Sequence, residues 1–307
     1  MRPDNQLTEE TKRHIQVMKN TLNMNLNCWK TCLVLVGICV LGWGSVFGQF
    51  PAANPGGVTT NLVGWLKADL GNGCIAGAPT SPCTTPGAWT DQASGNTWAI
   101  DSDPQWRVPE INFNPIMRLD NNDNYKRAAL LASQNMTVFV VLQTDDDTDN
   151  GNNRDAPAIL SGEEGGVGND WYLVHQDGDI HWVIADASGV ESQIDSDVHR
   201  YNENNPYLIS ADRHQTDGRM SLFINGGLFA DSITGANTLT LSSGGETSIG
   251  EHPDNSDGQM DGDWAEVLIY DAELGQNQRE RVESYLALKY GLTMPHDYLS
   301  SSGGVIY

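Results

Sequence analysis

Short runs of alternating apolar and polar positions fill most of this chain. The clearest are "MTVFVVLQT" (136–144), "DWYLVHQ" (170–176), "DIHWVIAD" (179–186), "PYLISADR" (206–213), "RMSLFING" (219–226), "TLTLSS" (238–243) and "WAEVLIYD" (264–271). Each is rich in β-branched and aromatic residues and is bounded by Gly, Asn, Asp or Pro, which predicts β-strands separated by turns. In "RMSLFING", Met220, Leu222 and Ile224 share one face while Ser221 and Phe223 share the other. Val138 to Leu142 is apolar on both faces, the pattern of a central strand covered on both sides. "DGD" between two of the runs and Asn225-Gly226-Gly227 within "SLFINGGLFADS" are hairpin signals. No βαβ alternation and no internal repeat is visible, so an antiparallel sandwich or barrel is expected.

Two segments break this pattern. "CLVLVGICVLGWGSVFG", Cys32 to Gly48, is a strongly apolar run preceded by Lys30 and closed by small residues, the layout of a secretory signal peptide cleaved near Gly48–Gln49. Residues 1–48 are read as a signal peptide with an extended n-region, and 49–57 as a linker; the mature chain then has no membrane span. At the other end, "QNQRERVESYLALKYGLTMP" (276–295) has helical spacing. Asn277 or Gly275 can cap it, Val282, Leu286 and Tyr290 form one stripe, and Gly291 can stand in the left-handed position after the last turn. Pro295 bars continuation. Gln278, Arg281 and Glu283 are assigned to its watered face, and the helix is expected across an edge or end of the sandwich.

Composition adds three constraints. A formal net charge of −23 disfavours nucleic acid and anionic membranes and favours cations. With the leader removed, only Cys74 and Cys83 remain; they flank a short loop in a chain bound for an oxidising compartment and are read as a disulfide. Closing so small a loop contributes about 2.5–3 kcal/mol on the chain-entropy model. Two loops are rich enough in carboxylates for Ca2+: "QTDDDTDNGNNRD" (143–155), with Asp145, Asp147 and Asp149, and "HPDNSDGQMDGD" (252–263), with Asp254, Asp257 and Asp261. The same Asp/Asn/Gly content also makes ordinary turns.

The segment "MDGDWAEVLIYDAELGQNQRERVESYLALKYGLTM" resembles the closing part of laminin-G-like, concanavalin A-like jelly-roll modules in large secreted surface proteins of Bacteroidota. "LVGWLKAD" (62–69) is similar to their first strand, and "AWTDQASGN" (88–96) to their Trp-x-Asp-x-Ser-Gly turn with Ala93 inserted. The resemblance implies an all-β fold: a two-sheet antiparallel jelly-roll sandwich over 58–295 with one C-terminal amphipathic helix. It also implies a place in a multi-domain protein, with 296–307 as a tail or the start of a following domain.

Candidate chemistry is sparse. A retaining glycosidase needs two carboxyl groups about 5–5.5 Å apart, and no strand carries Glu-x-Asp-x-(x)-Glu. "EVLIYDAE" places Glu266 and Asp271 on opposite faces, and "ESQIDSD" offers Glu191, Asp195 and Asp197 without a second glutamate. No Gly-x-Ser-x-Gly or His-Glu-x-x-His is present. Trp106, beside Arg107 in "DPQWRVPE", is the best-placed aromatic for stacking a sugar from a loop; Trp171, Trp182 and Trp264 lie inside strand patterns and read as core. The expected function is a non-catalytic binding or adhesion module, secreted or at the cell surface, which the resemblance implies to be the outer surface of a Gram-negative bacterium. Its partners would be an extracellular glycan or surface protein and other domains of the same polypeptide. A glycan-degrading enzyme and an inert spacer are the alternatives.

Overall fold

A computed structural model describes residues 54–74, 86–120, 122–131, 134–144, 146, 151–163, 168–196, 201, 203–233, 241, 245–253 and 258–307. The proposed leader and Cys83 lie outside them; Cys74 is disulfide-bonded. Among the described residues no helix is long and apolar enough to cross a membrane.

The strands are β1 (Leu62–Lys67), β2 (Trp89–Thr90), β3 (Thr97–Asp101), β4 (Gln105–Ile111), β5 (Asn114–Leu119), β6 (Asn124–Ala128), β7 (Met136–Gln143) and β8 (Ala158–Glu163). They continue with β9 (Trp171–Gln176), β10 (Asp179–Ala185), β11 (Glu191–Asp195), β12 (Tyr207–His214), β13 (Arg219–Ile224), β14 (Gly227–Ile233), β15 (Glu246–Ile249) and β16 (Gly262–Tyr270). One sheet, sheet I, runs β14-β13-β12-β7-β16-β5-β4, with β1 also beside β16. The other, sheet II, runs β11-β10-β9-β8-β15-β6-β3-β2. Neighbours pair antiparallel, as in β7 with β16, where Val140 faces Val267. The chain is thus an antiparallel two-sheet sandwich, as its alternation predicts. Both hairpin signals hold: Asp177 and Gly178 take φ of 51° and 80°, and Asn225 and Gly226 take 49° and 75°, the left-handed pair that matches strand twist.

Val138, Val140, Leu142, Ile209, Ala211, Met220, Leu222 and Ile224 point between the sheets, where they meet Leu160, Leu173, Trp182 and Ile184 from sheet II. Trp264 and Trp182 are fully buried in this core, with indole N–H groups on the carbonyls of Ile159 and Asp212. The intervening residues of sheet I, including Phe139, Val141, Leu208, Leu268 and Tyr270, face outward and form a second core.

That second core explains the helix. α1 spans Gln276–Tyr290, starts at Gly275 and ends at Gly291, whose φ is 71°. Val282, Leu286 and Tyr290 pack on Trp65, Phe139, Val141, Leu208 and Leu268. The helix therefore lies over the middle of sheet I rather than at an edge or end, because that face carries too much apolar surface to leave wet. Burying each such side chain contributes about 1.5–3 kcal/mol. Asn112 and Asn114, beside the β4–β5 turn, each donate 2.9 Å bonds to the Lys289 carbonyl and so satisfy the helix end.

Glu283 corrects the sequence reading: it is fully buried, not watered. Its carboxylate accepts from the Ser210 hydroxyl at 2.8 Å and lies 2.9 Å from His296 Nε2 and 3.5 Å from Arg279 Nε. A second buried carboxylate, Glu266 on β16, accepts from Trp65 Nε1 (2.6 Å), Tyr285 (3.0 Å), Tyr290 (2.8 Å) and Lys289 (2.8 Å). Burial lowers the Lys289 ammonium pKa, but the carboxylates of Glu266 and Asp69 outweigh it and the net shift is upward. The phenols of Tyr285 and Tyr290 are raised by burial and then by Glu266. Both glutamates point out of reach of a substrate and dock the helix.

Residues 54–307 form one compact unit. The tail turns back on itself, with Tyr298 and Ile306 paired, and Leu299 N–H reaches Ser284 Oγ on the helix at 2.8 Å.

Candidate functional site

Of the residues singled out for chemistry, Trp106 is in the wrong place for a ligand. It stands in β4, 4% exposed, inside the main core, and its indole N–H donates 2.6 Å to the Ala68 carbonyl. The "DPQWRVPE" stretch is an edge strand whose inward face needs an aromatic, so no stacking platform exists there. Arg107 points the other way and bonds Gln105 at 2.9 Å.

The two acidic loops, more than a hundred residues apart in sequence, meet at one end of the sandwich. Asp261 N–H donates to Asp146 Oδ2 at 3.2 Å, and the Thr144 hydroxyl donates to the Asp261 carbonyl. Asp145, Asp147, Asp149, Asp254 and Asp257 lie outside the described residues. The same rim holds carboxylates that the sequence did not single out. Asp123 accepts from the Asp103 and Asp120 amides at 2.9 and 3.2 Å, and burial raises its pKa. Burial likewise raises Glu251, which lies 3.7 Å from Lys126. Arg118 stands 3.6 Å from Asp263 and 4.0 Å from Asp120, so part of this acidity is already compensated within the chain. Among the described residues no group of three or more His, Cys, Asp or Glu is arranged to hold a metal ion.

Among the described residues no helix lies over the outer face of sheet II. Its centre carries a small apolar cluster, Ala156, Ala158, Tyr172, Val174, Val183 and Ala185. Around that cluster the side chains are polar. Asn153 Nδ2 donates to Glu191 Oε2 (2.7 Å) and Gln193 Oε1 (2.6 Å), and its Oδ1 lies 2.8 Å from His181 Nδ1. Glu191 is thereby engaged in the protein's own network. His252 is fully buried beside Tyr172, 3.1 Å from the Ala156 carbonyl through Nε2 and 3.3 Å from Glu163 Oε1 through Nδ1. Burial, the dominant influence, holds its imidazole down to about 4.

At the end of the sandwich where β8 and β6 finish and β9 and β15 begin lies a shallow depression, lined in part by Leu131, Glu163, Asn169, Trp171, Glu246 and Thr247. Glu163 and Glu246 are direct cross-strand partners in the β8–β15 pair. Direct partners project to the same face, and like charges so placed repel. Glu163 is 3% exposed, whereas Glu246 is in solvent. Sequence reading missed this pair because 83 positions separate the two residues, and no spacing along one strand reports a contact across two.

A domain family of unknown function (DUF8202) matches residues 278–307, a stretch that runs unbroken from the helix through the tail. No curated protein sequence matches the chain. Among solved structures, the receptor-binding domain of botulinum neurotoxin mosaic serotype C/D is similar with a TM-score of 0.54 and 16% identity, over 78% of this chain and 55% of that one. The receptor-binding domain of botulinum neurotoxin D gives 0.51 and 17%, over 76% and 54%. The chain therefore spans about half the length of these toxin domains. Domain 4 of AbnA, an extracellular GH43 arabinanase from Geobacillus stearothermophilus solved with arabinotriose, gives 0.53 and 13%, over 74% of this chain and 99% of that one. At such identities the likeness is one of fold: this chain is built as the β-sandwich of receptor-binding and sugar-bound domains.

Proposed function

We propose that this chain carries a non-catalytic binding or adhesion module of a secreted or cell-surface protein, with an extracellular glycan or surface protein as ligand. One observation carries the reading: α1 seals the outer face of sheet I, whereas among the described residues no helix covers the outer face of sheet II, whose β11 edge keeps Glu191 and Gln193 exposed. A purely structural spacer has no use for that asymmetry. The laminin-G-like motifs and the shared sandwich of receptor-binding domains support the same reading, as does the proposed leader peptide for export. The family assignment to Bacteroidota surface modules rests on the closing helix and strand motifs.

Calcium belongs to this proposal at the opposite rim, through Asp261, Asp254 and Asp257 with Asp145, Asp147 and Asp149. Support comes from the meeting of Asp146 with Asp261. The experiment is thermal unfolding of the chain with calcium and then chelator, followed by a glycan array in the better buffer. A reversible rise in midpoint with calcium is expected; an unmoved midpoint removes the metal, and an empty array together with no captured surface protein removes the binding module.

A glycan-degrading enzyme is the second reading, favoured by the Glu163–Glu246 pair. The two are direct partners across the β8–β15 pair and project to one face, the side on which a retaining mechanism needs both carboxyl groups. Release of reducing sugar that Glu246→Gln abolishes would replace the binding module with a hydrolase.

A further inference from the structure

We infer that Lys289 and Asp69 are the partners of an intramolecular isopeptide bond, with Glu266 as proton carrier, which staples the closing helix to the end of the first strand. The bond goes beyond the binding-module reading and does not depend on what the module binds.

The three groups are already in contact. Lys289 Nζ stands 3.1 Å from Asp69 Oδ2 and 2.8 Å from Glu266 Oε2. Glu266 is fully buried, and the Lys289 side chain is 14% exposed. Backbone contacts hold both reacting positions. Asp69 lies in the turn that ends β1. There the Ala68 amide donates to the Ala265 carbonyl, and the Ala68 carbonyl accepts from the Trp106 indole and Asn72. Lys289 lies in the last turn of α1, where Asn112 and Asn114 hold its carbonyl. Two groups fixed at contact distance react without the entropy cost of an encounter.

The surroundings suit the product. Asp69 Oδ1 is buried and accepts no hydrogen bond among the described residues, with Lys67 Nζ 3.6 Å away. A buried carboxylate oxygen without a donor is costly, and an amide carbonyl in its place carries less charge. Glu266 does not need the ammonium, because Trp65, Tyr285 and Tyr290 also donate to it. The new amide N–H takes over the place of the Lys289 donor. A buried ion pair, whose desolvation the fold must offset, becomes a neutral amide.

The reaction balances. Burial favours the neutral Lys289 amine, but Glu266 and Asp69 outweigh it, so the ion pair is the resting form. Reaction draws on the tautomer in which one ammonium proton has passed to Asp69, leaving an amine beside a carboxylic acid. Nζ attacks Asp69 Cγ. Glu266 takes the second proton from nitrogen and delivers it to the departing hydroxyl, which leaves as water. Overall, one ammonium and one carboxylate become one amide and one water, and Glu266 is restored. Asp69 is 32% exposed, which gives the water an exit. The event occurs once per molecule, so a slow rate suffices.

The test is the intact mass of the full chain, purified and then denatured. Wild type is expected one water below its sequence mass, once leader removal and the disulfide are counted. Digestion should give a branched peptide that contains both Asp69 and Lys289. Lys289→Arg keeps the positive charge, and Asp69→Ala removes the acyl carbon; both should return the full mass. Glu266→Gln should leave most of the chain unlinked, and complete linkage in that variant overturns its role as proton carrier. Wild type at full mass, with the two peptides separate, overturns the inference and leaves an ion pair. A missing water that persists in Lys289→Arg also overturns it, because the water then came from elsewhere, such as an aspartate cyclising on its own backbone. The wild-type mass decides even if a variant folds poorly. Glycan and surface-protein capture are read separately, so failure of the staple leaves the binding module standing.

Discussion

The outer faces of the two sheets start from similar strands and end in opposite states. On sheet I, Phe139, Val141, Leu208 and Leu268 demand cover, and α1 supplies it. The polar atoms that this burial would orphan are gathered onto two carboxylates, Glu266 and Glu283, each with several donors. On sheet II the outward apolar cluster is smaller though also buried, no helix among the described residues covers it, and exposed polar groups such as Glu191 and Gln193 stand at its β11 edge. Burial on one face and access on the other are two uses of a single strand pattern. What separates them is how much apolar area each outer face carries, and the buried carboxylates measure how completely the first face has been closed.

The largest break in this comparison should come from Glu266. In Glu266→Ala the Lys289 ammonium, two phenols and the Trp65 indole lose their acceptor under the helix. A loss of about 3–5 kcal/mol is expected in denaturant unfolding, whereas Glu246→Gln on the open face should stay within about 0.5 kcal/mol. Equal costs at the two positions would show that the helix does not seal its face.

Leu286→Ala, in the helix-sheet core, should cost about 3 kcal/mol, within the range for a buried leucine truncated to alanine. Val183→Ala, in the smaller cluster on sheet II, should cost about 1.5 kcal/mol, the transfer of two methylene equivalents. If Val183 proves the costlier, the second face is as tightly packed as the first.

Opposite pH responses should follow from histidines on the two sheets. His175 and His252, in and beside sheet II, are both held down by burial, the latter to about 4. The unfolded chain binds more protons than the native one below pH 6.5, so their contribution is lost as pH falls from about 6.5 toward 4. His296, against the helix, is raised, first by its bond to Glu283. Its ring nitrogens face Glu283 and the Asp297 carbonyl, both acceptors at 2.9 Å, which only the doubly protonated ring satisfies. Its contribution is present below 6.5 and lost as pH rises through its raised value; half-exposure keeps it small. Asp212, raised by burial to about 6, opposes the two neutral histidines on the acid side. Melting temperature across pH 4–8 should show His252→Asn flattening the acid limb and His296→Gln the alkaline limb. A His296 titration by NMR at or below 6.5 would end the account of the tail contact.

A local effect is expected at Gly226, at φ 75° with a Cβ position 2.7 Å from His296 Nε2. Gly226→Ala should cost about 1–2 kcal/mol from the left-handed backbone, and tail protection in hydrogen exchange should fall with it. An unchanged tail would mean the turn and the tail do not support each other.

Much of this molecule was legible without coordinates. Period-two alternation marks which residues of a strand share a face, and Val138–Leu142 announced a strand covered on both sides. Asp-Gly and Asn-Gly name their turns because few residues adopt left-handed backbone, and the stripe Val282–Leu286–Tyr290 with Gly291 defines the helix by the same local logic. These are properties of neighbours in sequence. Alternation does not say which face meets which partner, so Trp106 looked available and Glu283 looked wet until the sheets and helix were stacked. The Glu163–Glu246 pair, the Trp65 indole on Glu266 and the meeting of Asp146 with Asp261 join residues 83 to 201 positions apart. Pairing at that range is set by strand register and by the packing of layers, and no local pattern encodes it.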